Sequence, residues 1–264
     1  MKTFGIICVC LATLGFGGLK AAQSMAGSQP LPNCPGNAFA KQARVFDAVT
    51  VCATDGVSQE KLTHAANVLA EWMDNDNNGF VDDALVYDAL KSGEPYLVMT
   101  EESIGILEMA SMLFTLTTRV SQDLGADETK PGGGERDASQ EEIHHLMFNA
   151  GWSVAYPEVF SDKPGSILYK EWENAEAAGY YNYDDATCNH SCKVSEFFYL
   201  ATAAYFGSDA DLQSDEMRLK NRDMLAKSLP ETVAVMQSDK YSYPLNHWPT
   251  GEYAHPERIS YSTK

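Results

Sequence analysis

The chain has 264 residues, 44% of them hydrophobic and 21% charged. That is apolar enough for a packed core and excludes wholesale disorder. The formal net charge of −18 at pH 7 repels nucleic acid and anionic membranes, so neither is an expected partner, whereas cations are.

Residues 1–22 have the layout of a secretory signal peptide. Lys2 is followed by an apolar run over 4–16 and by small residues between Gly18 and Ala26. Its removal takes away Lys2 and Lys20 and no acid, so the mature chain is more negative still. No other run approaches a membrane span in length. Cys8 and Cys10 leave with the signal, and Cys34, Cys52, Cys188 and Cys192 remain. Four cysteines allow three pairings. The local pairs Cys34–Cys52 and Cys188–Cys192 are favoured in an oxidising compartment, with zinc on Cys188 and Cys192 as the alternative. Asn189-His190-Ser191 is a glycosylation sequon.

Helical periodicity dominates the rest of the chain. Leu62, Ala65, Ala66, Leu69 and Trp72 recur three and four apart and predict a helix over 59–73. Further helices are expected over 84–91, 101–122, 138–150, 166–178 and 193–206, and over 212–237 with a break near Pro230. Gly151 is expected to cap the 138–150 helix. The one short strand expected is 96–99. The aromatic tail from Tyr241 is expected to wrap the core. The predicted fold class is therefore mainly α with at most a small sheet. It is expected to be one compact, secreted, monomeric domain with an N-terminal region 23–130 and a second region 131–264.

The clearest motif runs from Asp74 to Asp83. A hard cation needs several oxygens converging from a short segment. Asp74, Asp76 and Asn78 offer side-chain oxygens at positions 1, 3 and 5, Phe80 its carbonyl at position 7, and Asp82 a carboxylate at position 9. Gly79 permits the sharp turn at position 6. Residues 74–85 resemble an EF-hand calcium loop entered by the helix that ends at Trp72-Met73. The departure is position 12, usually glutamate, which is Leu85; Asp83 or a residue elsewhere would have to complete the shell. In extracellular calcium such a loop is structural rather than sensory.

The second signal is Glu141-Glu142-Ile143-His144-His145. On a helix, Ile143, Leu146, Met147 and Ala150 form the core stripe, and Glu141 and His145 share the opposite side with Phe148 and Trp152. Something is therefore expected to cover them. Glu196 opens a run that is apolar all round, where a carboxylate is costly unless it finds a cation, a metal or water. The stretch 141–206 resembles the gluzincin zinc peptidases, in particular the anthrax lethal factor-like domain. The resemblance implies zinc on His145 and Glu196, with Glu141 in place of the first histidine. It also implies Glu142 as the catalytic general base, and a peptide or protein substrate. The extra carboxylate also admits manganese or iron. Tyr181 and Tyr183 are the candidates for the tyrosine that often assists in that family. The competing expectation is a non-catalytic, acidic calcium-binding protein that uses these helices only for packing. Three decoys are set aside: Gly151-Trp152-Ser153-Val154-Ala155 follows a helix, unlike a nucleophile elbow; glycines 132–134 lack the lysine of a phosphate loop; and the only matching pair for a di-iron bundle, Glu252 and His255, lies in a proline-bearing tail.

Overall fold

A computed structural model describes residues 31–102, 119–186 and 188–264. Its backbone is a five-stranded mixed sheet with helices packed on it. This corrects the mainly α expectation: the fold is mixed α/β. Strands β1 (Lys41–Val45) and β2 (Val49–Ala53) form an antiparallel hairpin. The hairpin turns through Phe46 and Asp47, both at positive φ, and Asp47 is held by Arg44. Helices α1 (Gln59–Met73) and α2 (Ala84–Gly93) then lead to β3 (Tyr96–Thr100), parallel to β2. Next comes β4 (Ser121–Gly125), parallel to β3. The final strand, β5 (Ile259–Thr263), returns antiparallel to β1, giving the order β4-β3-β2-β1-β5.

Four of these strands escaped the sequence pattern for a physical reason. Each is five residues long, too short for a period to stand out. Both edge strands are half-solvated and polar, Ser121-Gln122-Asp123-Leu124-Gly125 at one side and Ile259-Ser260-Tyr261-Ser262-Thr263 at the other. The predicted 96–99 strand is β3, the central parallel strand, buried on both faces and hence a continuous apolar run. Leu97 and Met99 enter the main core. Tyr96 and Val98 enter a small cluster on the other face with Leu31, Phe39 and the Cys34–Cys52 disulfide. Of the helix expected over 101–122, residues 103–118 lie outside the described residues, as does the expected signal peptide; positions 121–122 belong to β4.

Helix α1 matches its periodicity. Ser58 caps it through the Lys61 amide, and Leu62, Ala65, Ala66, Leu69 and Trp72 are all buried. Helix α3 (Ala138–Met147) does not stop at Gly151. It runs on through a π-helical segment (Phe148–Trp152) and a last turn (Ser153–Ala155). Gly151 instead allows close packing on α2: a Cβ there would sit 3.0 Å from Val86 Cγ1. Helix α4 (Ile167–Ala177) follows, then α5 (His190–Phe206), capped by Asn189. The expected 212–237 helix is two short ones, α6 (Arg222–Ser228) and α7 (Pro230–Met236), separated where Pro230 cannot donate. The tail buries Tyr241, Tyr243 and Tyr253 in the core. Cys188 and Cys192 are bonded to each other, which excludes zinc on that pair. No helix among the described residues is long and apolar enough to cross a membrane.

Candidate metal centres

Helix α3 is fixed first at its start. Asp137, its N-cap, accepts bonds from the Ser139 amide (3.2 Å) and hydroxyl (2.7 Å) and from the Lys130 amide (3.1 Å), and pairs with His64 Nε2 at 2.5 Å. Burial opposes ionisation of Asp137, but the bond and charge of His64 outweigh it and hold the carboxyl below its usual range. His64 comes from α1, so this pair ties the two helices together.

One turn further on, α3 presents its two histidines to different surroundings. His144 is fully buried in the aromatic core. Its Nε2 meets the Tyr243 hydroxyl at 2.9 Å, which in turn meets Thr202 Oγ1 at 2.7 Å. Burial, reinforced by His145, pushes its pKa well down, so it is a neutral core residue. His145 faces α5 instead. Its Nε2 is buried, has no hydrogen-bond partner, and lies 3.6 Å from Glu196 Oε2. Glu141, one turn back on α3, completes a cluster whose ligand atoms all lie within 4.8 Å of one another. The covering element expected over Glu141 and His145 is thus α5, and residues 51 positions apart in sequence meet.

The spacing suits an ion better than a hydrogen bond. Two ligands about 2.1 Å from a tetrahedral zinc stand roughly 3.4 Å apart. Two carboxylates and an imidazole whose buried nitrogen is unsatisfied form a three-ligand donor set that zinc, manganese or iron can use. Without a cation, protons fill the deficit. Burial works against a charged His145, but Glu196 and Glu142 outweigh it and hold its pKa well above the ordinary value. Burial and the charge of Glu196 push Glu141 up to about 7, against the pull of His145 and Arg136.

Glu142 lies outside this cluster, on the other edge of the ring. Its Oε2 is 3.7 Å from His145 Nδ1 and accepts a 2.5 Å bond from Gln122 Nε2 on β4. The cluster opens into a cleft of about 340 Å³ lined by Arg136, Glu141, Tyr183, Glu196, Asp211 and Glu216 among others. Of the two candidate tyrosines, Tyr183 lines the cleft. Burial and the nearby Glu196 keep its phenol protonated. Tyr181 is buried and donates to the Lys193 carbonyl. Arg136, Gln122 and Asp211 had no sequence signal. Gln122 lay in a stretch expected to be helical, and Arg136 in a loop whose partners come from elsewhere in the chain.

The 74–82 loop is folded around its acids. Asp74 accepts from the Asn78 and Gly79 amides at 3.0 and 2.7 Å and from the Tyr253 hydroxyl at 2.5 Å. Asp76 and Asn78 bond within the loop, and Asp82 accepts from the Asn75 amide. Gly79 has the positive φ its position requires. One carboxylate oxygen each of Asp74, Asp76 and Asp82 lies within 4.8 Å of the others. Burial, with Asp76 and Asp74 nearby, pushes Asp82 up to about 6. The Phe80 ring is exposed, as expected where only the carbonyl is wanted. Leu85 points to solvent, and Asp83 is committed to capping α2 and to the Tyr156 hydroxyl. Neither supplies the missing twelfth-position ligand, and the tail residues Ser242 and Asn246 border the loop instead.

No protein-family model matches the chain, and neither a curated protein nor a solved structure matches it significantly.

Proposed function

We propose that the chain is a secreted metalloprotein of hydrolase type, holding a zinc-class ion on Glu141, His145 and Glu196 and calcium in the 74–82 loop. The observation that carries this reading is the buried Nε2 of His145, without a hydrogen-bond partner and 3.6 Å from Glu196, behind a cleft that Glu141 and Glu196 line. Two disulfides support an oxidising compartment. The likeness to gluzincin peptidases suggests a peptide substrate.

A bound divalent ion would supply Lewis acidity toward a scissile carbonyl. The chain supplies the rest. Gln122 fixes Glu142, whose carboxylate lies 3.7 Å from His145 Nδ1 and by its charge favours the ring orientation that turns Nε2 to the cluster. Glu142 in this position is a positioning residue rather than the general base that the resemblance implies. The protonated Tyr183 can donate a hydrogen bond to a substrate oxygen in the cleft. Glu142→Gln separates the two roles. A positioning role predicts weakened zinc binding, whereas a general base would leave binding intact and abolish only peptide hydrolysis.

A second reading, a non-catalytic calcium-stabilised protein, is favoured by how the loop is used. Asp74 anchors Tyr253, Asn77 holds Ala254, and Asn75 holds Asn246 and His247, so the loop fastens the tail. Absence of any transition metal, together with calcium-dependent stability, would select it.

A further inference from the structure

Arg136 is the one basic side chain among the described residues lining the metal cleft, where Glu141, Glu196, Asp211 and Glu216 are all acidic. Its guanidinium is bonded to the Glu141 carboxylate, and its Nε lies 4.0 Å from Asp211 Oδ1. Asp211 is buried and already accepts from the Tyr199 hydroxyl at 2.7 Å and from the Ser208 hydroxyl. It is therefore a fixed anchor. Arg136 spans from that anchor to a residue of the ligand cluster.

Two carboxylates and one imidazole place one more negative charge on an ion than one carboxylate and two imidazoles do. The ion is then a weaker Lewis acid. A guanidinium bonded to one of those carboxylates withdraws that charge, and arginine suits this role because it never gives up its proton and meets a carboxylate with a fork of donors. We propose that Arg136 is a built-in counter-charge for Glu141, so that the Glu141–Arg136 pair stands in for a neutral imidazole among the ligands. The inference rests on the proposed metal centre and deepens it. Arg136 is here a positioning and charge-tuning residue. Glu142, on the far edge of His145, and Glu196 keep their own charges, so Arg136 offsets one carboxylate and no more.

Cobalt(II) provides the test, because its visible absorption reports its ligand field without any substrate. The pH midpoint of the spectral change is measured for the cobalt-loaded wild type, Arg136→Gln, Arg136→Lys, Glu141→His and Arg136→Gln/Glu141→His. Loss of the counter-charge raises the midpoint by about one pH unit in Arg136→Gln, while Arg136→Lys keeps most of the wild-type value. With Glu141→His in place, there is no carboxylate to offset, and Arg136→Gln shifts the midpoint by less than half as much. An equal shift in both backgrounds, or none in either, would overturn the proposal and leave Arg136 as a loop anchor to Asp211. Should Arg136→Gln fail to fold, Arg136→Met, which also removes the charge, replaces it in the wild-type and Glu141→His backgrounds, and the same outcomes decide. A wild-type chain that binds neither cobalt nor zinc fails at the earlier step, and removes both the metal centre and any need for a counter-charge.

Discussion

Asp137→Ala tests how the site helix is held. The carboxylate accepts from two backbone amides and one hydroxyl and pairs with His64, and both partners are buried. Loss of an N-cap costs about 1 kcal/mol. His64 left buried without its partner adds about 2 kcal/mol. The substitution should therefore cost about 3 kcal/mol, while Asp137→Asn, which keeps an acceptor for the cap, should cost about half that. For a chain of this size 3 kcal/mol corresponds to a melting temperature lower by roughly 10 °C. Urea unfolding at pH 7, followed by tryptophan fluorescence, reads the change directly. The acid limb gives a second reading. Since the Asp137 pKa lies below the unfolded value of 3.8, its stabilisation is complete above that value and disappears as the pH falls through the lower folded one. Asp137→Ala should lose less stability than the wild type on acidification below about pH 4. A cost under about 1 kcal/mol at pH 7, or an unchanged acid limb, would refute the reasoning.

Three further outcomes are expected. Glu142→Gln and Gln122→Ala should each weaken zinc binding about 10- to 100-fold, measured by competition with a chromophoric chelator; unchanged affinity would remove the orienting role. Relative to Glu141→Gln, whose side chain cannot ionise, the metal-free wild type should lose stability as pH rises. Glu141 keeps its proton up to about 7 when folded but loses it near 4.5 when unfolded. The comparison cancels the opposite contribution of His144, whose lowered pKa favours the folded chain as pH rises toward 6.5. Saturating zinc should abolish the decline in the wild type, and a metal-free wild type that gains stability relative to Glu141→Gln between pH 5 and 8 in urea titrations would contradict the assignment. Calcium at about 100 times its dissociation constant should add about 2.7 kcal/mol. Asp74→Ala should eliminate that gain, whereas Tyr253→Phe, which keeps every loop ligand, should retain most of it; calorimetry with and without chelator distinguishes them.

Legibility in the sequence followed the length and locality of each signal. Helix α1 announced itself because fifteen residues give four turns of apolar repeat. Strand β4 did not, because Ser121-Gln122-Asp123 has the composition of a loop and becomes a strand only by pairing with β3. Gly151 looked like a stop because a glycine after a helix usually is one, yet here it serves the approach of α2, information carried by Val86, 65 residues earlier. The cluster of Glu141, His145 and Glu196 was readable from two chemical oddities: a Glu and a His sharing the non-core side of α3, and a carboxylate opening an apolar helix. The residues that surround it, Gln122, Arg136 and Asp211, were not, since each is an ordinary polar residue until the fold supplies its partner. The two histidines part on the helix wheel, which puts His145 on the side of Glu141, but nothing in the sequence signals that His144 would bond Tyr243 in the core.

The central claim is that His145 Nε2 faces a metal. Elemental analysis of the mature protein, secreted and purified without chelator, measures it directly, with His145→Ala purified in parallel. The account predicts one zinc, manganese or iron per chain in the wild type, lost in His145→Ala, with calcium retained by both. Calcium alone in the wild type, or a transition metal that survives His145→Ala, would contradict it.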